Sequence, residues 1–244
     1  MNEILSGNNL RGLAAELIAT FTFVFMGVGA VGVVLGAGFT LVSPMDNAGL
    51  MIIAFGHGLG IFLGVVVIGR ITGAHMNPAV TIAAIISGNT ALVRGFSFIV
   101  GQLIGSALAV YLLDQFVWNV PNLGVQNLNT TIGNGLVLEV ILTFFLVFTI
   151  FATVFDKHGN TAWAPLAIGV VIFVGHLIAV PLTGASMNPA RSFGPALIHG
   201  QWVEHWVYWV GPIIGAVTAV LAYVMIFGDK DDQARLGSIR MKSE

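Results

Sequence analysis

Charged residues are scarce in this sequence, and cysteine is absent. Only 8% of the 244 residues are Asp, Glu, Lys or Arg, whereas a soluble domain carries roughly 25%. A surface so poor in charge cannot face water over most of its area. The missing cysteines exclude a disulfide and a thiolate zinc site. The net charge of −2, with no basic cluster, argues against a nucleic-acid partner.

Long apolar stretches fill most of the chain, which is 57% hydrophobic. A membrane-spanning helix needs about 20 mostly apolar residues, and two stretches, about 78–87 and 189–198, have only half that length. Each would reach roughly 15 Å, so neither crosses the membrane alone. The sequence therefore predicts an all-α integral membrane protein with six transmembrane helices and two half-length helices. The six full-length stretches are about 11–35, 50–69, 94–114, 133–155, 163–182 and 203–227.

The distribution of basic residues predicts how the chain sits in the membrane. If both termini are cytoplasmic, every Lys and Arg except Arg191 falls on the inner side, as the positive-inside rule requires. The short tail and small loops favour a plasma membrane. We expect residues 1–228 to form a single membrane domain and residues 229–244 to form a short, mobile cytoplasmic tail.

The two halves of the sequence repeat each other. Residues 72–79 read Thr-Gly-Ala-His-Met-Asn-Pro-Ala, and residues 183–190 differ from them only by Ser in place of His. The repeats span about 11–114 and 133–227. Because each holds three spans, an odd number, the two halves must have opposite orientations in the membrane. The half-length segments then enter from opposite sides and meet near the middle.

Each half-length segment carries the signals of a helix start. Asn77 and Asn188 suit the N-cap, and Pro78 and Pro189 suit the first helical turn. The asparagine oxygen can accept from the helix backbone while its NH₂ group faces a pore as a donor. Two such donors, backed by the positive ends of two helix dipoles, would orient a passing water molecule and oppose a proton wire.

These motifs resemble those of the aquaporin (major intrinsic protein) family. The resemblance covers about residues 10–227 and depends on the segments 73–80 and 184–191. It implies a right-handed inverted-repeat bundle with two re-entrant half-helices, one pore per subunit and a homotetramer. The implied activity is passive conduction of water without protons, ions or cofactors. The family's pore motif corresponds here to Asn77, Pro78, Ala79, Asn188, Pro189 and Ala190.

The resemblance also implies a selectivity filter formed by His57, His176, Ala185 and Arg191. The Arg191 charge would repel a cation 4 Å away by roughly 4 kcal/mol at an effective dielectric constant of about 20. His57 replaces the Phe usual in water channels and is similar to the plant vacuolar subgroup, some of whose members also pass ammonia. Glycerol facilitators typically have Asp where this chain has Ser192, so water is favoured over glycerol. Passage of ammonia, of hydrogen peroxide or, as the least favoured alternative, of glycerol stays open.

Polar residues around the two motifs have predicted supporting roles. Glu16 and Glu139 occupy equivalent positions in the repeats, and we expect them to accept hydrogen bonds from the re-entrant backbone, although a proton relay is an alternative. Gln102 has a similar expected role. His75 is expected to support its loop, with gating as an alternative. The carbonyl groups expected to line the pore are those of Gly73, Ala74, His75, Gly184, Ala185 and Ser186.

Two other classes of protein fit the sequence less well. A secondary transporter also uses inverted repeats and broken helices, but no intramembrane acid is placed for ion coupling. An intramembrane enzyme is disfavoured because neither His-Glu-x-x-His nor Gly-x-Ser-x-Gly occurs. No metal site is expected. Asn129-Thr130-Thr131 is a glycosylation sequon that we do not expect to be used.

Overall fold

The structure is a computed structural model that describes residues 6–38 and 46–238. Six of its helices are long and apolar enough to cross a membrane, which confirms the predicted all-α membrane architecture. Between about two-fifths and one-half of each apolar window is buried, and large apolar side chains cover the remainder. Those six are α1 (Gly7–Gly36), α2 (Asn47–Thr72), α4 (Leu92–Phe116), α5 (Ile132–Ile150), α6 (Ala164–Thr183) and α8 (Val207–Phe227).

The predicted half-length segments form two short helices. They are α3 (Pro78–Ile86) and α7 (Pro189–His199). In each, the asparagine before the proline is the N-cap, and its side-chain oxygen accepts a backbone N–H from the residue two positions later at 2.9 Å. Proline fits at the start because its missing N–H would have no partner within the helix.

Small residues allow the long helices to approach each other closely. A Cβ atom added at Gly101 or Gly105 on α4 would lie under 3.0 Å from the backbone of α1, and one at Gly215 on α8 would lie as close to α5. The contacts α1–α4 and α5–α8 are therefore made backbone to backbone, in the same way in each repeat. The two repeats meet along α2 and α6, and each half-helix also packs against the last span of the other repeat, α7 on α4 and α3 on α8.

Two features on the predicted cytoplasmic side differ from the sequence analysis. Helix α5 continues as a π-helical turn, Phe151–Phe155, where the backbone is wound more loosely. The tail, expected to be mobile, contains a short helix, α9 (Lys230–Arg235), that begins with a capping box. The Gly237 N–H also donates to the carbonyl of Ile86 at the end of α3. The expected positions of Arg240 and Lys242 lie outside the described residues.

Candidate functional site

Two non-helical loops lead into the half-helices, and their backbones have the same unusual conformation. In each loop, three of the four residues before the asparagine have positive φ. Only one of those three is glycine, and a left-handed conformation costs other residues roughly 1–2 kcal/mol. The surrounding structure must therefore hold both loops in place. The residues and φ angles are Gly73 (89°), Ala74 (50°) and Met76 (52°), and Gly184 (77°), Ala185 (53°) and Met187 (53°).

The first loop is held by the fully buried carboxylate of Glu16 on α1. One carboxylate oxygen accepts from the Thr72 hydroxyl at 2.5 Å and from the His75 backbone N–H at 2.9 Å. The other accepts from the Met76 N–H at 2.7 Å and from Gln102 Nε2 at 2.8 Å. The N–H groups of His75 and Met76 have no helical hydrogen bond, and the Glu16 carboxylate is their partner inside the bundle.

The second loop is held in the same way by Glu139 on α5, which is also fully buried. Its carboxylate accepts from the Thr183 hydroxyl at 2.7 Å and from the backbone N–H groups of Ser186 and Met187 at 2.9 and 2.7 Å. The pseudo-symmetry of the sequence repeat thus extends to individual hydrogen bonds.

The two asparagine side chains bring the half-helices together. Asn77 Nδ2 donates to the carbonyl of Met187 at 2.7 Å, and Asn188 Nδ2 donates to the carbonyl of Met76 at 2.8 Å. Each NH₂ group therefore uses one hydrogen to join the opposite loop. Its second hydrogen stays available as a donor.

Cavities lie on both sides of the asparagine pair. The inner one is lined by Asn77 and Asn188 at one end and extends past His75 to Phe155. The outer one contains Arg191 and the loop that joins α4 to α5. The inner walls are mostly aliphatic, so the few polar groups determine where a polar solute is bound.

Two histidines lie between these cavities. His57 on α2 and His176 on α6 are fully buried, and their rings stack with centroids 4.0 Å apart. Each Nδ1 lies within 2.9 Å of a carbonyl one turn earlier, of Ile53 or Ile172. A carbonyl only accepts, so Nδ1 carries the hydrogen, and Nε2 of an uncharged ring is an acceptor. Rings in contact leave no gap for water between them.

Arg191 lies in the first turn of α7 and lines the outer cavity. It is only 2% exposed, and one terminal nitrogen donates to the Gly124 carbonyl at 2.6 Å. Within the described part of the chain, Arg191 Nε and the Nε2 atoms of His57 and His176 are buried without a hydrogen-bond partner. Buried polar atoms normally have a partner. These three atoms thus supply one donor and two acceptors for a polar solute.

The structure places the remaining predicted residues around this passage. Ala185 is fully buried beside Gly184, and His75 Nδ1 contacts the Thr81 hydroxyl at 3.1 Å. The Asn129 side chain of the sequon donates to the carbonyl of Pro181. Sequence reasoning missed one buried side chain, Gln126, which contacts the second loop. No motif marks it, because it lies in a connecting segment without periodicity.

Six membrane-length helices around a polar passage define an integral, multi-pass membrane channel. The chain matches the Major intrinsic protein family over residues 3–223. It is 41% identical to Aquaporin TIP2-3 of Arabidopsis thaliana over 231 residues, covering 93% of this chain and 91% of that one. It is 43% identical to a probable aquaporin TIP-type of Medicago truncatula over 229 residues, covering 92% and 90%.

A solved structure has the same fold. The X-ray structure of the aquaglyceroporin from Plasmodium falciparum superposes with a TM-score of 0.76, covering 89% of this chain and 96% of that one at 23% identity. The chain belongs to the major intrinsic protein family. It is accordingly a passive channel in a lipid bilayer and not an enzyme.

Proposed function

We propose that this channel conducts water along osmotic gradients and excludes ions and protons. The hydrogen bonds of Asn77 and Asn188 to the opposite loops carry this proposal. They join the N-termini of the two half-helices between two cavities, and each side-chain amide keeps one hydrogen as a donor. Those donors can hold a water oxygen, so that its hydrogens point away along the passage. A water molecule held in this orientation cannot both accept and donate along a proton wire.

We assign selection of the solute to His57, His176, Ala185 and Arg191. Support comes from the buried Nε2 and Nε atoms, which offer acceptors and a donor within a narrow space. The Arg191 charge opposes cations. A carbon chain such as that of glycerol would need apolar contact on one side, and two imidazoles and a guanidinium provide little of it.

Osmotic shrinkage of proteoliposomes, followed by stopped-flow light scattering, tests the proposal. Vesicles with the channel should shrink at least about tenfold faster than empty vesicles in sucrose, with an activation energy near that of water diffusion. Glycerol entry should stay at the level of empty vesicles. Saturable, gradient-coupled uptake, or shrinkage no faster than that of empty vesicles, would contradict a water channel.

Ammonia is a second candidate solute. The observation in its favour is the pair of histidine Nε2 atoms, which can accept hydrogen bonds from ammonia as well as from water. Alkalinisation inside vesicles loaded with a pH-sensitive dye, after an ammonium gradient is imposed, measures this flux. Hydrogen peroxide, which donates in the same way, can be measured with a peroxide-reactive dye.

Assembly and location are also proposals. We propose a homotetramer, supported by membership of the family, and mass measurement in detergent by light scattering would test it. We propose that both termini lie in the cytoplasm, supported by the placement of Lys and Arg. The plasma membrane stays a prediction from the sequence. The TIP-type names of the relatives give a plasma membrane no support. Fractionation and protease protection of a C-terminal tag test both points.

A further inference from the structure

We propose that Gln126 is a positioning residue. It fixes the second re-entrant loop and thereby sets the width of the proposed filter at Ala185 and Arg191. This inference rests on the proposed function. Gln126 lies between α4 and α5, in the segment that covers the outer cavity, yet its side chain is only 7% exposed. Within the described part of the chain, its side-chain hydrogen bonds go to Gly184 and Ser192, and not to the two asparagines or the two histidines.

Both ends of the Gln126 amide bind the second loop. Its Nε2 donates to the carbonyl of Gly184 at 3.0 Å, next to Ala185 in the filter. Its Oε1 accepts a short hydrogen bond from the hydroxyl of Ser192, which directly follows Arg191. One side chain thus connects the residues adjacent to two filter positions.

The fit between Gln126 and Gly184 is tight. Gly184 has a φ of 77°, and a Cβ atom added there would lie 2.9 Å from Cγ of Gln126. The glutamine stem therefore rests directly on the loop backbone, where only glycine leaves room. The neighbouring Gly124 carbonyl accepts from Arg191, so the same segment holds the guanidinium group as well.

The hydrogen-bond chain continues inward from Ser192. The hydroxyls of Ser192 and Ser186 lie 2.6 Å apart, and Ser186 Oγ accepts from the backbone N–H of Asn188 at 3.2 Å. Gln126 is therefore linked through two hydroxyls to the N-cap of α7. Such a network resists displacement more than separate bonds do.

The first repeat offers an internal comparison. There Gln102 Nε2 donates to Thr81, which is the counterpart of Ser192, and also to Glu16. Each loop is thus held by a glutamine as well as a glutamate. The two glutamines come from different elements, Gln102 from a span and Gln126 from an outer connection. Because only the second loop carries Arg191 and Ala185, only Gln126 bears on the filter.

Selectivity should relax when this contact is lost. In Gln126→Ala, the Gly184 carbonyl and the Ser192 hydroxyl lose their partner, and the space above them opens to the outer cavity. The loop and Arg191 can then shift outward. We expect the ratio of glycerol to water permeability to rise about fivefold, which is the factor corresponding to one hydrogen bond of ordinary strength.

Matched variants separate positioning from general damage. Gln126→Glu keeps the shape and the acceptor for Ser192 but removes the donor to Gly184, so it should show an intermediate ratio. Asn127→Ala changes the exposed neighbour in the same cavity and should leave the ratio unchanged. Gln126→Ala combined with Ser192→Ala should raise the ratio by less than the product of the single effects.

Stopped-flow measurements of water and glycerol permeability in proteoliposomes, with the amount of folded channel determined by gel filtration, decide the matter. A purely structural role would lower both fluxes together and leave their ratio unchanged, which would overturn the inference. An unchanged ratio in Gln126→Ala at normal water flux would overturn it as well. Failure of the unmodified channel to conduct water would instead refute the proposed function, so the two failures are distinguishable.

Discussion

At the residue scale, the two histidines of the proposed filter are fixed from several sides. Nδ1 of each is committed to a carbonyl of its own helix, and His57 also packs edge-on against Phe23, with ring centroids 5.9 Å apart. A Cβ atom added at Gly27 on α1 would lie under 3.0 Å from the His57 ring. His57 therefore cannot move toward α1, and its face stays against His176.

Replacing His57 by phenylalanine tests what the histidine contributes to selection. Phenylalanine is similar in size but has no Nε2 acceptor, so His57→Phe should lower any ammonia flux about tenfold while water flux changes less than about twofold. Dye-loaded proteoliposomes in ammonium and sucrose gradients measure both. Unchanged ammonia flux would show that Nε2 of His57 plays no part in selection.

The buried glutamates provide a prediction about stability. Glu139→Gln replaces one accepting oxygen by a donor that faces backbone N–H groups, and leaves at least one of them unsatisfied. The loss of stability should be about 1–3 kcal/mol, seen as a shorter half-life at raised temperature in detergent. Glu16→Gln should behave in the same way because Glu16 holds the first loop through equivalent bonds. Glu204→Gln, at a partly exposed position, is the control, and equal half-lives would contradict the assigned role.

At the element scale, helix contacts depend on glycines that have no room for a side chain. Gly105→Ala would place a methyl group against the α1 backbone near Leu17, which should cost about 1–3 kcal/mol and shorten the thermal half-life. Gly133→Ala is the matched control because no atom lies within 4 Å of the added carbon. Similar half-lives for the two variants would show that α1 and α4 are not in rigid contact.

The tail helix gives a prediction about pH and salt. The hydrogen bond from Lys157 lowers the pKa of the Asp229 carboxyl from 3.8 to about 2, and both side chains are partly open to solvent. Because the pKa is lowered in the folded state, the contribution is complete above pH 3.8 and is lost as pH falls toward 2. The contact should therefore persist from pH 5 to 8 but weaken in 1 M salt, which screens exposed charges.

Spin labels can follow this contact, since the chain has no cysteine of its own. Labels at Thr161→Cys and Gln233→Cys should give a narrow distance distribution at low salt and a broad one in 1 M salt. Lys157→Ala should broaden it at any salt concentration. A distribution that is the same with and without Lys157 would show that the ion pair does not hold the tail.

Much of the architecture was predictable because apolar length and a repeated motif each have a direct physical meaning. The boundaries of α3 were predicted to within one residue, since the N-cap asparagine and proline mark its start. The π-helical turn and α9 were not predicted, because neither has a distinctive apolar pattern. The role of Gln126 was hidden for another reason: its contacts join residues 58 and 66 positions apart, and only the folded chain brings them together.

At the scale of the whole molecule, function depends on two repeats that are equivalent in structure but different in chemistry. The glutamate anchors, the strained loops and the asparagine caps occur in both. The two motifs diverge where His75 is matched by Ser186 and Val80 by Arg191. The shared features therefore form the two re-entrant loops and their junction, and the differences between the repeats place Arg191 and the proposed filter on one side only.

The absence of cysteine leads to a prediction for the whole channel. Mercury ions block water passage by binding a thiolate in the pore, and none of the 244 residues is cysteine. Water flux should therefore change by less than about 20% in mercuric chloride at concentrations that saturate thiols. The variant Ala185→Cys places a thiol at the proposed filter, where a bound mercury ion would obstruct the passage. It should conduct water before treatment, lose most of that flux in mercury and regain it with a reducing thiol.

Ala37→Cys, at the exposed outer end of α1, controls for mercury binding outside the pore and should stay insensitive. If mercury blocked the unmodified chain, a ligand other than thiolate would line the passage; if it spared Ala185→Cys, Ala185 would not lie at the constriction.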